Sequence, residues 1–197
     1  MQVAIINYNA GNVRSVLFAM ERLQIDAALT DDPERIKKAD RVIFPGVGEA
    51  STTMQYLRDQ HLDDLIRDLR QPVLGICLGM QLLCSHSEEN NTACLGIIPL
   101  QVKRFHARAG EKVPHMGWNA LHGLQSPLFT GIEEQEFAYF VHSYYVESGD
   151  YSVALSDYIH PFSAAIRKDN FYATQFHPEK SGEVGERILR NFMAIND

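Results

Sequence analysis

Three short apolar runs, each passing into a stretch of helical period, constrain this chain most. Val3-Ala4-Ile5-Ile6 is rich in β-branched residues, and from about Asn12 to Leu23 the apolar residues Val13, Val16, Leu17, Met20 and Leu23 recur at helical spacing. Arg41-Val42-Ile43-Phe44 closes at Pro45-Gly46 and leads into a helical stretch that runs to about Leu69. Pro72-Val73-Leu74-Gly75-Ile76 then runs into Cys77 and another helix-like segment. Such alternation predicts an α/β fold with an open, mostly parallel twisted sheet flanked by helices on both faces. From about Gln101 onward the texture changes to short alternating runs set between Gly, Asn, Asp and Pro. Among them, Glu136 to Val141, Ser163 to Ile166 and Phe171 to Phe176 predict strands, several of them in a smaller antiparallel sheet. A last amphipathic helix is expected from about Gly182 to Ile195, with Val184, Ile188, Leu189 and Phe192 on one side. No repeat or linker interrupts the pattern, so residues 1–197 are expected to form a single domain.

Composition narrows the classes of partner. Eighteen Lys and Arg against 25 Asp and Glu leave a net charge of -7, which repels a polyphosphate backbone, so no nucleic-acid partner is expected. The longest nearly apolar run, Val73 to Cys84, contains Gly75, Gly79 and Gln81 and falls short of the ~20 residues that a membrane-spanning helix needs. The amino terminus has neither the basic patch nor the apolar stretch of a secretory signal, which predicts a cytoplasmic protein. Cys77, Cys84 and Cys94 form an odd set without metal-type spacing and read as free thiols. None of the eight histidines sits in an HxH or HExxH pattern, so neither a metal nor another cofactor is expected.

Gly75-Ile76-Cys77-Leu78-Gly79 places a thiol between glycines, after a buried-strand pattern and before Met80-Gln81-Leu82-Leu83, a helix start. This is the form of a nucleophile elbow with cysteine in the place of serine. The tip of so sharp a turn needs small neighbours, because a Cβ on either flank collides with the adjacent strand or helix. The partial positive charge at a helix amino terminus also favours thiolate over thiol. The plainer reading of Cys77 is a small buried hydrophobe.

Phe176-His177-Pro178-Glu179 follows another strand pattern. Pro178 biases His177 toward extended backbone, so His177 and Glu179 point to one side. An imidazole beside a carboxylate is what a cysteine nucleophile requires: His177 to move the proton, Glu179 to hold the ring. Phe44-Pro45-Gly46-Val47-Gly48 is a third strand end. Acyl transfer needs N–H donors at the developing oxyanion, and the candidates are Val47 N–H and Leu78 N–H. A plain tight turn and a nucleotide-binding loop are the competing readings of Gly46-Val47-Gly48, but Ser51 stands where a GxGxxG loop has its third glycine.

Taken in order, Pro45-Gly46-Val47-Gly48, Gly75-Ile76-Cys77-Leu78-Gly79-Met80-Gln81 and His177-Pro178-Glu179 closely resemble the class I glutamine amidotransferases, over nearly the whole chain. The resemblance implies a catalytic set of Cys77, His177 and Glu179 that hydrolyses the side-chain amide of glutamine through a thioester and passes ammonia to a synthase site. It also implies that Gly48, Gln81, Ser143 and Tyr144 position the substrate. Within the class the chain is most similar to the glutaminase subunits of imidazole glycerol phosphate synthases, of histidine biosynthesis. His115-Met116-Gly117-Trp118-Asn119 resembles their partner-facing loop, which implies a heterodimer with a (β/α)₈-barrel cyclase through Met116, Trp118 and Asn119. Core packing is the default reading of the lone Trp118; an interface anchor is the other. Asn7-Tyr8-Asn9-Ala10-Gly11-Asn12 resembles the first strand-to-helix loop of these subunits, with Asn7 and Asn9 where Asp and Gly are usual; Asn9 tolerates positive φ. Three alternatives stand beside this reading: a glutaminase subunit of anthranilate or aminodeoxychorismate synthase, a γ-glutamyl peptidase, and a non-enzymatic thiol sensor or regulatory subunit.

Overall fold

The computed structural model describes residues 1–8, 13–108 and 110–195. Strands β1 (Val3–Ile6), β2 (Ala27–Thr30), β3 (Arg41–Phe44) and β4 (Val73–Ile76) alternate with helices α1 (Arg14–Arg22), α2 (Pro33–Lys38), α3 (Ala50–Asp59) and α4 (Leu62–Asp68), and α5 (Leu78–Leu83) follows β4. The second half holds β5 (His86–Ser87), β6 (Thr92–Ala93), β7 (Gln101–Arg104), β8 (His115–Ala120), β9 (Phe137–His142), β10 (Tyr144–Val146), β11 (Ser152–Tyr158), β12 (His160–Lys168) and β13 (Phe171–Thr174), and ends in α6 (Gly182–Ala194).

The main sheet has seven strands in the order β11-β12-β13-β4-β3-β1-β2. The five from β13 to β2 run parallel, and β12 and β11 close one edge antiparallel. This is the open, mostly parallel α/β sheet that the alternating pattern predicts. The smaller antiparallel sheet resolves into two: β8 paired with β9, and a four-stranded sheet β10-β7-β5-β6 in which the short β5–β7 pair is parallel.

Every residue of β1, β3, β4 and β13 is buried, because the sheet is covered on both faces. Successive side chains point to opposite faces. Val3, Ile5, Ile43, Leu74 and Ile76 therefore meet Met20 of α1 and Ile188, Leu189 and Phe192 of α6. Ala4, Ile6, Val42, Phe44 and Val73 meet Ile36, Met54, Leu57 and Ile66 on the other side. Each large apolar side chain removed from water in this way contributes about 1.5–3 kcal/mol.

Two departures from the sequence reading have simple causes. The helical stretch before Leu69 is two helices, broken where His61 takes φ 55°, so the apolar period continues across a turn. Strand β2 and helix α2 carry no comparable signal: β2 is a partly exposed edge strand, and α2 is a six-residue helix begun by Asp32, whose carboxylate accepts from Glu34 N–H at 2.9 Å. Asn7 N–H donates to the Thr30 carbonyl at 2.9 Å; Asn9 lies outside the described residues. Among the described residues no helix is long and apolar enough to cross a membrane.

In open sheets of this type ligands gather beyond the carboxyl ends of the strands. Here the ends of β3, β4 and β13 lie side by side and carry Pro45-Gly46-Val47-Gly48, Cys77 and His177 respectively.

Candidate active site

Cys77 joins β4 directly to α5 with φ 52° and ψ -108°, a conformation that L-residues seldom adopt. Such a conformation persists only where the surroundings hold it, as they do here. The Cys77 N–H donates to the Thr174 carbonyl of β13 at 2.7 Å. A Cβ on Gly79 would fall on the Phe44 carbonyl, and one on Gly46 would fall on the Ile76 carbonyl and Leu78 nitrogen. The two glycines thus let the loop after β3 and the turn after β4 touch backbone to backbone. Gly75 is less tightly held, since a Cβ there would meet Gly79 at 3.0 Å.

His177 follows β13 with φ -97° and ψ 96°, the extended backbone expected before proline. Its Nδ1 lies 2.8 Å from Glu179 Oε1, and both residues are buried. On its other side the imidazole interacts with the Cys77 side chain, and both residues line one cavity. Burial opposes charge on the ring, yet the hydrogen bonds to Cys77 and Glu179 outweigh it and push His177 up to about 10. Both neighbours therefore favour the protonated ring.

A cavity of about 390 Å³ opens over Cys77 and His177. Of the residues singled out in the sequence, Val47, Gly48, Leu78, Gln81, Ser143 and Tyr144 also line it. Glu179 does not; it stands behind the imidazole. Leu78 is the first residue of α5, so its N–H has no acceptor within the helix. Val47 N–H is engaged otherwise: it donates to the Tyr8 hydroxyl at 3.3 Å, and that hydroxyl donates to the Pro45 carbonyl at 2.5 Å. In this conformation Val47 N–H must release Tyr8 before it can serve an oxyanion.

The structure adds residues that the sequence did not reveal. Glu89 and Lys180 line the cavity, and the Glu89 carboxylate also accepts from Ala50 N–H at 2.8 Å. Burial raises the Glu89 carboxyl above its usual range, and the neighbouring Glu49 adds to the effect. Gln175 is fully buried and reaches the Cys77 sulfur. Its only signal in the sequence is a polar residue within the apolar run from Phe171 to Phe176. His142 lines the cavity wall and is hydrogen-bonded to His115, with Nε2 and Nδ1 3.0 Å apart. Burial pushes His115 down to about 4 and His142 to about 3, so these rings stay neutral and add no positive charge beside His177.

Met116, Trp118 and Asn119 lie on β8, outside the cavity. Met116 is 64% and Trp118 55% exposed, so the core-packing reading of the tryptophan is wrong. Its ring makes an edge contact with Tyr139 across the β8–β9 pair. Met116 sits opposite Val141, whose carbonyl lies 3.9 Å from Cys77 Sγ. The exposed face of β8 is thus one strand away from the sulfur.

A model of the family described as glutamine amidotransferase class-I matches residues 5–195. The chain is 61% identical to the imidazole glycerol phosphate synthase subunit HisH of Bacteroides fragilis, over 99% of this chain and 100% of that protein. It is 46% identical to the protein of the same name from Shewanella loihica, over 98% and 90% of the two chains. A putative GMP synthase component from Thermoplasma acidophilum shares the fold with a TM-score of 0.74 at 20% identity, over 98% of this chain and 92% of that one. PurLQS from Thermotoga maritima matches with a TM-score of 0.72 at 17% identity, over 98% and 97%.

Proposed function

The chain belongs to the class I glutamine amidotransferases, and on that basis we propose that it releases ammonia from glutamine at Cys77, as the HisH-type glutaminase subunit of an imidazole glycerol phosphate synthase. The observation that carries the chemistry is the buried line Cys77–His177–Glu179, with 2.8 Å between imidazole and carboxylate.

The Cys77 thiolate attacks the γ-carbonyl carbon, and the oxygen gains negative charge that Leu78 N–H and, once freed from Tyr8, Val47 N–H accept. The imidazolium of His177 gives its proton to the departing nitrogen, so ammonia leaves and a γ-glutamyl thioester remains. The ring, now neutral, takes a proton from water as that water attacks the thioester. Glutamate departs, and the thiolate and imidazolium are restored, with Glu179 stabilising the charged ring throughout. Glu89 and Lys180 offer the opposite charges that the α-ammonium and α-carboxylate of a free amino acid require. The exposed Met116 and Trp118, with the half-buried Asn119 on the same strand, would dock the cyclase, a (β/α)₈ barrel, so that ammonia passes on without loss as ammonium.

Glutamine labelled at the amide nitrogen tests this directly. With the cyclase and its ribonucleotide substrate present, the label should enter imidazole glycerol phosphate. Label found only in free ammonia, or in anthranilate when chorismate and the corresponding synthase are supplied, would reject the assignment.

Glu179→Gln tests the proton path. The carboxylate raises His177, so its loss lowers the ring's pKa and exhausts the protonated form at lower pH. The alkaline limb of kcat should move downward, and kcat at neutral pH should fall by about 10²-fold or more. An unshifted limb in a folded variant would remove Glu179 from the mechanism.

A further inference from the structure

Beneath the cavity the Cys77 sulfur has, besides His177 and the Val141 carbonyl, a polar neighbour that the triad does not call for. Gln175 lies two residues before His177, and its side chain is fully buried. Its Nε2 donates to Cys77 Sγ at 3.6 Å, and its Oε1 accepts from Gln81 Nε2 at 3.0 Å. Gln81 Nε2 also donates to the Tyr144 carbonyl at 3.0 Å. These contacts fix which way each amide faces. A backbone carbonyl only accepts, so Gln81 must present its NH₂ group to Tyr144. The same group faces Gln175, which must answer with oxygen. Only the nitrogen of Gln175 is then left for the sulfur. Turning either amide over would set donor against donor or acceptor against acceptor in a buried site, where an unmade hydrogen bond is costly.

We propose that Gln175 is a further catalytic residue, its N–H holding the negative charge of the Cys77 sulfur, and that Gln81 is the positioning residue that keeps this N–H turned toward it. The proposal rests on the reading of Cys77 as the nucleophile. An N–H donor gains far more from a thiolate than from a thiol, because a hydrogen bond to a charged acceptor is roughly twice as strong as a neutral one. His177 must surrender its proton to the departing ammonia and later recover one from water. Gln175 keeps its hydrogens throughout, so its stabilisation is present at both moments when the sulfur carries charge, at attack and at thioester breakdown. The amide of Gln81 spends both hydrogens inside the protein and has only its oxygen to offer a ligand in the cavity.

The test is the pH dependence of Cys77 alkylation by iodoacetamide in the full chain, with Cys77 identified by peptide mapping. In Gln175→Met, which keeps the length of the side chain and removes the donor, the midpoint should move up by about one pH unit. Glutamate release by the complex should fall about tenfold in kcat, with KM for glutamine within about twofold. Gln175→Glu keeps the shape and puts an acceptor against the sulfur, so its midpoint should rise further. This variant also serves if the methionine variant fails to fold. A residue that only packs would lower the rate without moving the profile. A midpoint equal to the parent's in either folded variant overturns the proposal. Alkylation uses no glutamine, so a shifted profile in a protein that releases no glutamate leaves Gln175 in place and rejects the proposed substrate instead.

Discussion

Replacing Cys77 with alanine should lower glutamine-dependent glutamate release by at least about 10⁴-fold, while the complex with the cyclase continues to make product from added ammonium salts. Removing the nucleophile of a covalent mechanism leaves only what the oxyanion donors and binding supply, a small residue of the rate. The second half of the expectation follows from the geometry. Alanine is as strained as cysteine at φ 52°, so the exchange neither relieves nor adds backbone strain at the turn. The contacts that hold the turn are backbone ones, from Cys77 N–H to Thr174 and between the loops at Gly46 and Gly79, and they survive the loss of one sulfur atom. The exposed face of β8 is likewise untouched. Cys77→Gly is the informative contrast: glycine adopts φ 52° and ψ -108° without strain, so the glycine variant should be the more stable of the two, by about 1 kcal/mol or more, if the turn stores strain. Glutamate release and ammonium-driven synthesis are measured on the same preparation. Retained glutaminase activity in the alanine variant would exclude Cys77 as nucleophile, and loss of both activities would mean that the turn supports the interface as well.

The site was legible in the sequence wherever its chemistry coincides with the end of a buried strand. Strands covered on both faces are nearly all apolar, and Val3–Ile6, Arg41–Phe44 and Val73–Ile76, with Arg41 the one charged exception, therefore stand out without reference to any partner. The residues that follow them are constrained in turn. Cys77 needs Gly79 because the turn touches the next loop, and His177 is extended because Pro178 follows it. The edge strand Ala27–Thr30 was illegible because it is only partly buried, and an edge strand need not be apolar throughout. Gln175, Glu89 and Lys180 were illegible for a different reason: each joins the candidate site only when segments distant in sequence approach one another, as when Gln81 and Gln175, 94 positions apart, share a hydrogen bond. The single tryptophan shows the limit of composition. Trp118 lies on β8, where alternate side chains face in and out, and only the pairing with β9 decides which side faces water.

Gly46→Ala and Gly79→Ala should each destabilise the protein by more than about 4 kcal/mol, the range in which a single change has a specific steric cause. A Cβ at either position would overlap backbone atoms of the facing segment, not the movable end of a side chain. Gly46 would strike the Ile76 carbonyl, Leu78 N and, at 2.6 Å, Gly79 N; Gly79 would strike the Phe44 carbonyl. Backbone at these buried strand ends cannot yield without parting β3 from β4, which pair through Val42, Ile43 and Phe44. In a chain of this size a loss of about 4 kcal/mol lowers Tm by about 10 °C. Gly149→Ala is the control: its Cβ would meet only Leu100 Cδ2, at 3.5 Å, so the substitution should change stability by less than about 1 kcal/mol. Thermal unfolding measures the stability, and alkylation of Cys77 measures whether the turn persists. If either variant unfolds at the parental temperature with the parental alkylation rate, the two loops are not in backbone contact, and the loop that carries Val47 is not held against the Cys77 turn.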